Sequence, residues 1–227
     1  MTRGPDLPFA DRIDAGKRLA AALNGYKGQD CVVLALPRGG VPVGAEIAAH
    51  LGAPLDVLLV RKIGAAFQPE LAIGAVVDGG EPIVVRNDEL IRATGTREET
   101  FTAICGEELR EIERRRQLYL HGRPPLDPRG RIAIIVDDGI ATGATMRAAL
   151  RATRMRKPGR LILAVPVAAA DTLNSLRKEA DEVVCLATPE PFGAVGYFYR
   201  DFGQTSDAEV IALLARNHAR RRSNVGS

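Results

Sequence analysis

Long apolar runs are missing from this chain of 227 residues. None approaches the roughly 20 consecutive apolar residues that a helix needs to cross a bilayer, which excludes a helical membrane span. The opening stretch, MTRGPDLPFADR, has no apolar signal core, so the expectation is a cytoplasmic protein with no membrane partner. Cysteine is scarce: Cys31, Cys105 and Cys185 are far apart and odd in number. They form neither a disulfide framework nor a zinc cluster, and read as small buried hydrophobes in a reducing compartment. His50, His121 and His218 have no metal-ligand spacing. There is no G-x-S-x-G elbow, so no protein nucleophile is evident. A net charge of +3 is too small a surplus to imply nucleic acid. No internal repeat and no interior linker divides the chain. What is present is an ordinary globular composition, 46% apolar and 26% charged, of a length that one α/β domain can use.

The most informative stretch is RIAIIVDDGIATGAT, from Arg131 to Thr145. Ile132 to Val136 is a β-branched apolar run that suits a strand buried on both faces of a parallel sheet. Two adjacent carboxylates follow, Asp137 and Asp138, then a small-residue loop, then the helix-forming run MRAALRATRMRK. Backbone amides around Thr142, Gly143, Ala144 and Thr145, at the start of a helix, make a phosphate cradle, to which the two threonines can add hydroxyls. The carboxylates suit a different group, because they would repel a phosphate. They can accept hydrogen bonds from a ribose diol, as an acidic residue does in dinucleotide sites. Phosphate at one end and a diol at the other describe a ribose 5-phosphate. A carboxylate that merely caps the helix would explain one aspartate and not two.

The pattern I134-I135-V136-D137-D138-x-x-x-T142-G143-x-T145 resembles the phosphoribosyl-pyrophosphate (PRPP) motif of the type I phosphoribosyltransferases. Two positions depart from it. Gly139 stands where the family more often has an apolar residue. Ala141 stands where the enzymes acting on 6-oxopurines carry an aspartate, so that acid–base device is not expected here.

A second glycine loop follows the strand Cys31–Leu36. Pro37-Arg38-Gly39-Gly40-Val41-Pro42-Val43-Gly44 has the G-x-x-x-x-G spacing of a nucleotide loop, but Ala45-Glu46 replaces the required Lys-Ser/Thr, which argues against a nucleotide kinase. The G-x-G-x-x-G dinucleotide pattern is also missing. Arg38, Gly39 and Gly40 suit pyrophosphate, with amides wrapping it and a guanidinium beside it. The loop resembles the family's pyrophosphate loop, which implies a cis peptide at Pro37–Arg38. Arg61 and Lys62 follow the predicted strand Leu55–Val60, which would put both cations at the carboxyl end of a parallel strand, where open α/β sheets place ligands.

Other elements read as follows. A helix is predicted over Asp11–Leu23 and another over about Val43–His50. Ile63–Ile73 reads as a mobile loop, Gly74–Asp78 as a strand, and Gly79-Gly80 before Ile83–Val85 as a hairpin turn. Asn87–Ala93 and Arg97–Leu120 read as helices, the second a charge-laced solvated face. Arg160–Val167 and Glu182–Leu186 read as strands flanking a helix over Ala169–Lys178. Aromatics make up 4% of the chain, and several fall in ATPEPFGAVGYFYRD, from Ala187 to Asp201. Phe192 and Tyr197 are the candidates to stack on a planar acceptor. Ser206–Arg216 reads as a capped closing helix, and 217–227 as a basic, flexible tail.

The resemblance covers about residues 28–205 and implies one α/β domain: an open, mostly parallel twisted sheet flanked by helices. The core would span about 28–187, with a small hood from about 1–27 and 187–216. It implies an Mg²⁺-dependent transfer of ribose 5-phosphate from PRPP to a nitrogenous acceptor, such as a nucleobase, in nucleotide metabolism. Asp137 and Asp138 would act on the ribose and, directly or through water, on the metal; Arg61 and Lys62 would serve the leaving group. The family also implies a homodimer. The sequence resembles most a bacterial branch of predicted phosphoribosyltransferases. A PRPP-binding regulator on the same fold is the alternative.

Overall fold

The computed structural model describes residues 7–79 and 81–225, with side chains as far as 220. The first six residues of the expected hood, Gly80 of the expected hairpin turn, and 226–227 of the expected tail lie outside the described residues.

The core is a five-stranded parallel sheet. Its strands are β1 (Cys31–Ala35), β2 (Leu55–Val57), β6 (Ile132–Val136), β7 (Arg160–Val167) and β8 (Glu182–Ala187), in the order β2-β1-β6-β7-β8. Every pairing in it is parallel. β1 is buried along its whole length and β6 along all but its first residue, as their unbroken apolar runs require. One face packs on α1 (Arg12–Ala22) and α2 (Gly40–Leu51), through Leu19, Leu23, Ile47 and Leu51. The other packs on α5 (Ala144–Met155) and α6 (Ala170–Leu176), through Met146, Leu150, Leu173 and Leu176.

A second sheet was only half expected. β3 (Val60–Ala65), β4 (Gln68–Val77) and β5 (Ile83–Arg86) form a three-stranded antiparallel sheet. The predicted loop over Ile63–Ile73 is therefore mostly strand. Small residues and a proline masked its alternation, and the ladder accommodates that proline. Gly64 pairs with Ala72 and Ala65 with Gln68, so Pro69 falls in an irregularity where no donor is needed. The predicted strand Leu55–Val60 ends at Val57, and the chain then leaves for the second sheet. Arg61 and Lys62 thus lie on an antiparallel strand, not at the end of a parallel one.

The remaining helices are α3 (Asp88–Ala93), α4 (Glu98–Leu120) and α7 (Asp207–Val225). α2 starts at Gly40, three residues before the predicted start, so Gly40 belongs to the helix and not to the open loop. The predicted flexible tail is also helical as far as Val225. Its arginines are good helix formers, and Asn217, buried, ties α7 to the core: its Oδ1 accepts from Leu55 N at 3.0 Å and its Nδ2 donates to Ala53 O at 3.2 Å.

The two ends of the chain meet over β7 and β8. Phe9 N donates to Phe198 O at 2.8 Å and Arg200 N donates to Phe9 O at 2.8 Å. Phe9, Ala15, Val167 and Tyr199 form a small apolar cluster there, with Phe192, Val195 and Phe198 around it.

Candidate active site

The loops that follow β1 and β6 emerge side by side at one edge of the sheet, because their strands are parallel neighbours. Their closeness sets the sequence. A Cβ on Gly39 would lie 2.0 Å from Asp138 Oδ2, and one on Gly40 would lie 2.8 Å from Val136 O and 2.9 Å from Asp137 Cα. Both glycines are needed because the carboxylate turn presses against them. The Pro37–Arg38 peptide is cis, as the resemblance implied. Gly40 N donates to Leu36 O at 3.0 Å, closing the loop onto its own strand. The amides of Arg38 and Gly39 carry no hydrogen bond among the described residues.

On the other loop, Ile140 N donates to Val167 O at 2.9 Å, which anchors the turn to β7. Thr172 Oγ1 donates to Ala141 O at 2.7 Å. Gly143 has φ +74°, and a Cβ there would come within 2.6 Å of Thr172 Cγ2, so both conformation and space call for glycine. The amides from Thr142 to Thr145 have no backbone partner among the described residues, as the free first turn of α5 dictates. Thr142 and Ala144 line a cavity of about 250 Å³ with Ala72, Asn87, Arg147 and others. The departure at Gly139 has a cause: a Cβ would lie 2.5 Å from Val195 Cγ1, so the segment after β8 occupies the space an apolar side chain would fill.

Asp137 and Asp138 are half-buried. Burial and the neighbouring charge of Asp138 push Asp137 well above the ordinary carboxylate range. Burial also raises Asp138, and Arg12 opposes this. The Arg12 Nε donates to Asp138 Oδ2 at 2.8 Å, and Tyr199 Oη donates to the Asp138 carbonyl at 2.5 Å. Asp137 Oδ1 accepts the Asp138 amide at 2.9 Å, while its Oδ2 makes no hydrogen bond among the described residues.

Of the paired cations, Lys62 is exposed and Arg61 is half-buried. It lines a small cavity of about 30 Å³ with Leu36, Pro37, Arg115 and Thr145, so one space touches the strand-β1 loop, the start of α5 and the second sheet. Its Nε donates to Glu108 Oε2 at 2.6 Å. Lys62 is exposed, because successive residues of a strand face opposite ways. The predicted stacking residues belong to the segment that reaches the carboxylate turn through Val195 and Tyr199. Phe192 packs on Phe198 with ring centroids 5.0 Å apart, inside the cluster formed by the chain ends, and Tyr197 is 76% exposed.

Several residues at the site carried no signal in the sequence. Arg12 comes from α1, 126 residues from its partner Asp138. Glu108 and Arg115 project from α4, whose charged sequence looked like a solvated face. Asp207, at the start of α7, accepts from Tyr119 Oη at 2.6 Å and lies 3.7 Å from Arg38 Nη1. Capping-type acids and i,i+4 charge patterns are too common to single these out.

Among the described residues, no group of three or more His, Cys, Asp or Glu could hold a metal ion. Two adjacent carboxylates, one oxygen of Asp137 unspent, are nonetheless a donor set that suits Mg²⁺ of the kind held mainly by substrate phosphates and water.

The parallel sheet, its two glycine-tuned loops and the carboxylate turn between them define an open α/β protein whose loops meet at the carboxyl edge of the strands, where such sheets place ligands. The model of the phosphoribosyl transferase domain matches residues 10–200. A Mycobacterium tuberculosis protein named "Putative phosphoribosyl transferase", found in two strains, is 50% identical over 210 residues, which are 92% of this chain and 47% of that one. The chain thus spans about half the length of these curated relatives. The crystal structure of TT1426 from Thermus thermophilus superposes with a TM-score of 0.81 at 41% identity, covering 92% of this chain and 99% of that one. The chain belongs to the phosphoribosyl transferase domain family. No helix among the described residues is long and apolar enough to cross a membrane.

Proposed function

We propose that the chain transfers ribose 5-phosphate from PRPP to a nitrogenous acceptor and releases pyrophosphate. The observation that carries this is the contact of Gly39 with Asp138, which joins a loop suited to pyrophosphate to a carboxylate turn suited to a diol. In this reading Thr142, Gly143, Ala144 and Thr145 hold the 5-phosphate through unspent amides and hydroxyls. Ala141 contributes backbone only. Asp137 and Asp138 accept from the ribose hydroxyls. Arg38, Gly39 and Arg61 receive pyrophosphate, whereas the amide of Gly40 is spent on Leu36 O. Asp137 and Asp138 would hold Mg²⁺, directly or through water, and the ion would supply charge neutralisation for the leaving group. Arg61 and Arg115 face that same departing charge. The bond from C1 to pyrophosphate breaks with its electron pair on oxygen, C1 becomes oxocarbenium-like, and the acceptor nitrogen closes the new bond.

The test is pyrophosphate release from PRPP and Mg²⁺ across a panel of nucleobases and small amines, with a control lacking acceptor. Acceptor-dependent release is expected. Tight PRPP binding without release from any acceptor would overturn the transferase in favour of a PRPP-responsive regulator.

A further inference from the structure

A cavity of about 440 Å³ lies between β5, the second half of α5 and the turn after α6. That volume falls in the range of small-molecule sites. Val84, Val85 and Met155 give it an apolar floor. Val84 is 37% exposed and Met155 63%, two of the few large apolar side chains left open among the described residues. β5 is the last strand of its sheet, so its outer edge also offers unpaired backbone donors and acceptors.

The rim is cationic: Arg86, Arg151, Arg154 and Lys178 stand against Glu179 alone. Arg86 and Arg154 each donate two bonds, at 2.8 to 3.0 Å, to Glu98 and Asp181, acids that do not line the cavity, so these two arginines fix its walls. Two donors are left for a ligand. Lys178 is exposed and makes no ion pair among the described residues. Arg151 spends Nε and Nη2 on Glu179 Oε1, at 3.0 and 2.7 Å, and keeps Nη1. An ammonium and a guanidinium edge beside an apolar floor suit a ligand that joins a flat body to phosphate.

This cavity is tied to the phosphate cradle. Arg151 also lines the cavity that Thr142 and Ala144 share with Arg147. Both arginines donate to the same oxygen, Glu179 Oε1, Arg147 from Nη1 at 3.2 Å. A phosphate that draws Arg151 away leaves Glu179 to Arg147, and it sets negative charge one cavity from the cradle. Both effects oppose a second phosphate there.

We infer that the cavity is an effector site for a nucleoside polyphosphate, and that its occupancy weakens PRPP binding. The base lies on Val84 and Met155, and the phosphates reach Lys178 and Arg151. The coupling rests on the reading above, in which Thr142 to Thr145 hold the 5-phosphate of PRPP; the site itself does not.

The experiment is calorimetry with ATP and GTP in the presence of Mg²⁺, against tripolyphosphate and the two nucleosides, and it needs no turnover. At least one nucleotide should bind at least about tenfold more tightly than tripolyphosphate or its own nucleoside. Lys178→Ala combined with Met155→Ser, both exposed positions, should weaken it at least about tenfold and leave PRPP affinity unchanged; thermal melting confirms that the variant folds. Saturating nucleotide should weaken PRPP to a plateau of about fivefold or more, and PRPP should weaken the nucleotide by the same factor. Failure of both nucleotides to bind overturns the inference, as does tripolyphosphate binding equally well, which would mean a bare anion patch. A nucleotide that leaves PRPP affinity unchanged overturns the coupling. A weakening of PRPP that grows without a plateau and survives in the double variant puts the nucleotide in the PRPP site and overturns the inference too. The plateau in a protein that releases no pyrophosphate with any acceptor would sink the transferase and leave the effector site standing.

Discussion

Two neighbouring glycines respond to substitution in opposite ways. In Gly39→Ala the new methyl meets the Asp138 carboxylate, at 2.0 Å from Oδ2, so the side chain must swing off Arg12. PRPP affinity, measured by titration, should fall at least about tenfold, with little loss of stability. In Gly40→Ala the methyl meets backbone, Val136 O and Asp137 Cα, which cannot swing aside. That variant should lose about 1–3 kcal/mol of stability in urea denaturation. The aspartates make a pH prediction. Burial raises both above the ordinary 3.8, so the folded protein keeps their protons longer than the unfolded chain does. The stability they contribute is full below the unfolded value and is lost as pH rises through the raised folded values. Diol binding needs the ionised pair, so PRPP affinity should rise over the same interval, and Asp138→Asn should flatten that rise. A profile identical in the mutant would rule the pair out as its source.

At the scale of elements, the strand–acid–loop–helix unit was legible because each part obeys a local rule: an apolar run, a small-residue turn, a free helix start. The loop after β1 was legible for the same reason. In the second sheet β3 and the start of β4 were not, because Gly64, Ala65, Ala66 and Pro69 erase the alternation by which a strand is read, and the residues they pair with lie across the β3–β4 turn. The end of the last helix, beyond Arg216, was obscured by charge: a basic stretch reads as solvated until Asn217 is seen to serve the backbone of Ala53 and Leu55. Asn217→Ala leaves an amide and a carbonyl there without partners. It should cost about 2–3 kcal/mol, and lower Tm by roughly 4–10 °C in a thermal melt. A shift within error would mean that α7 is held by its apolar residues alone.

For the whole molecule, the fold class was readable and the site only in part. Residues contributed by neighbouring strands could be anticipated, whereas Arg12, Arg115 and Asp207 arrive from helices whose placement no local pattern encodes. Ligand linkage gives a global test. PRPP at about one hundred times its Kd should add about 2.7 kcal/mol of stability, raising Tm by roughly 5–10 °C. The double variant Asp137→Asn with Asp138→Asn should show no such rise.

Arg12 holds Gly203, 191 residues away, and Phe9 holds the backbone at 198–200. A growing polypeptide on the ribosome can therefore complete the sheet and both glycine loops while one wall of the cleft is still being translated. The two loops that meet at Gly39 and Asp138 precede that wall in the chain, and the contacts of Arg12 are complete only when residues near 200 have emerged.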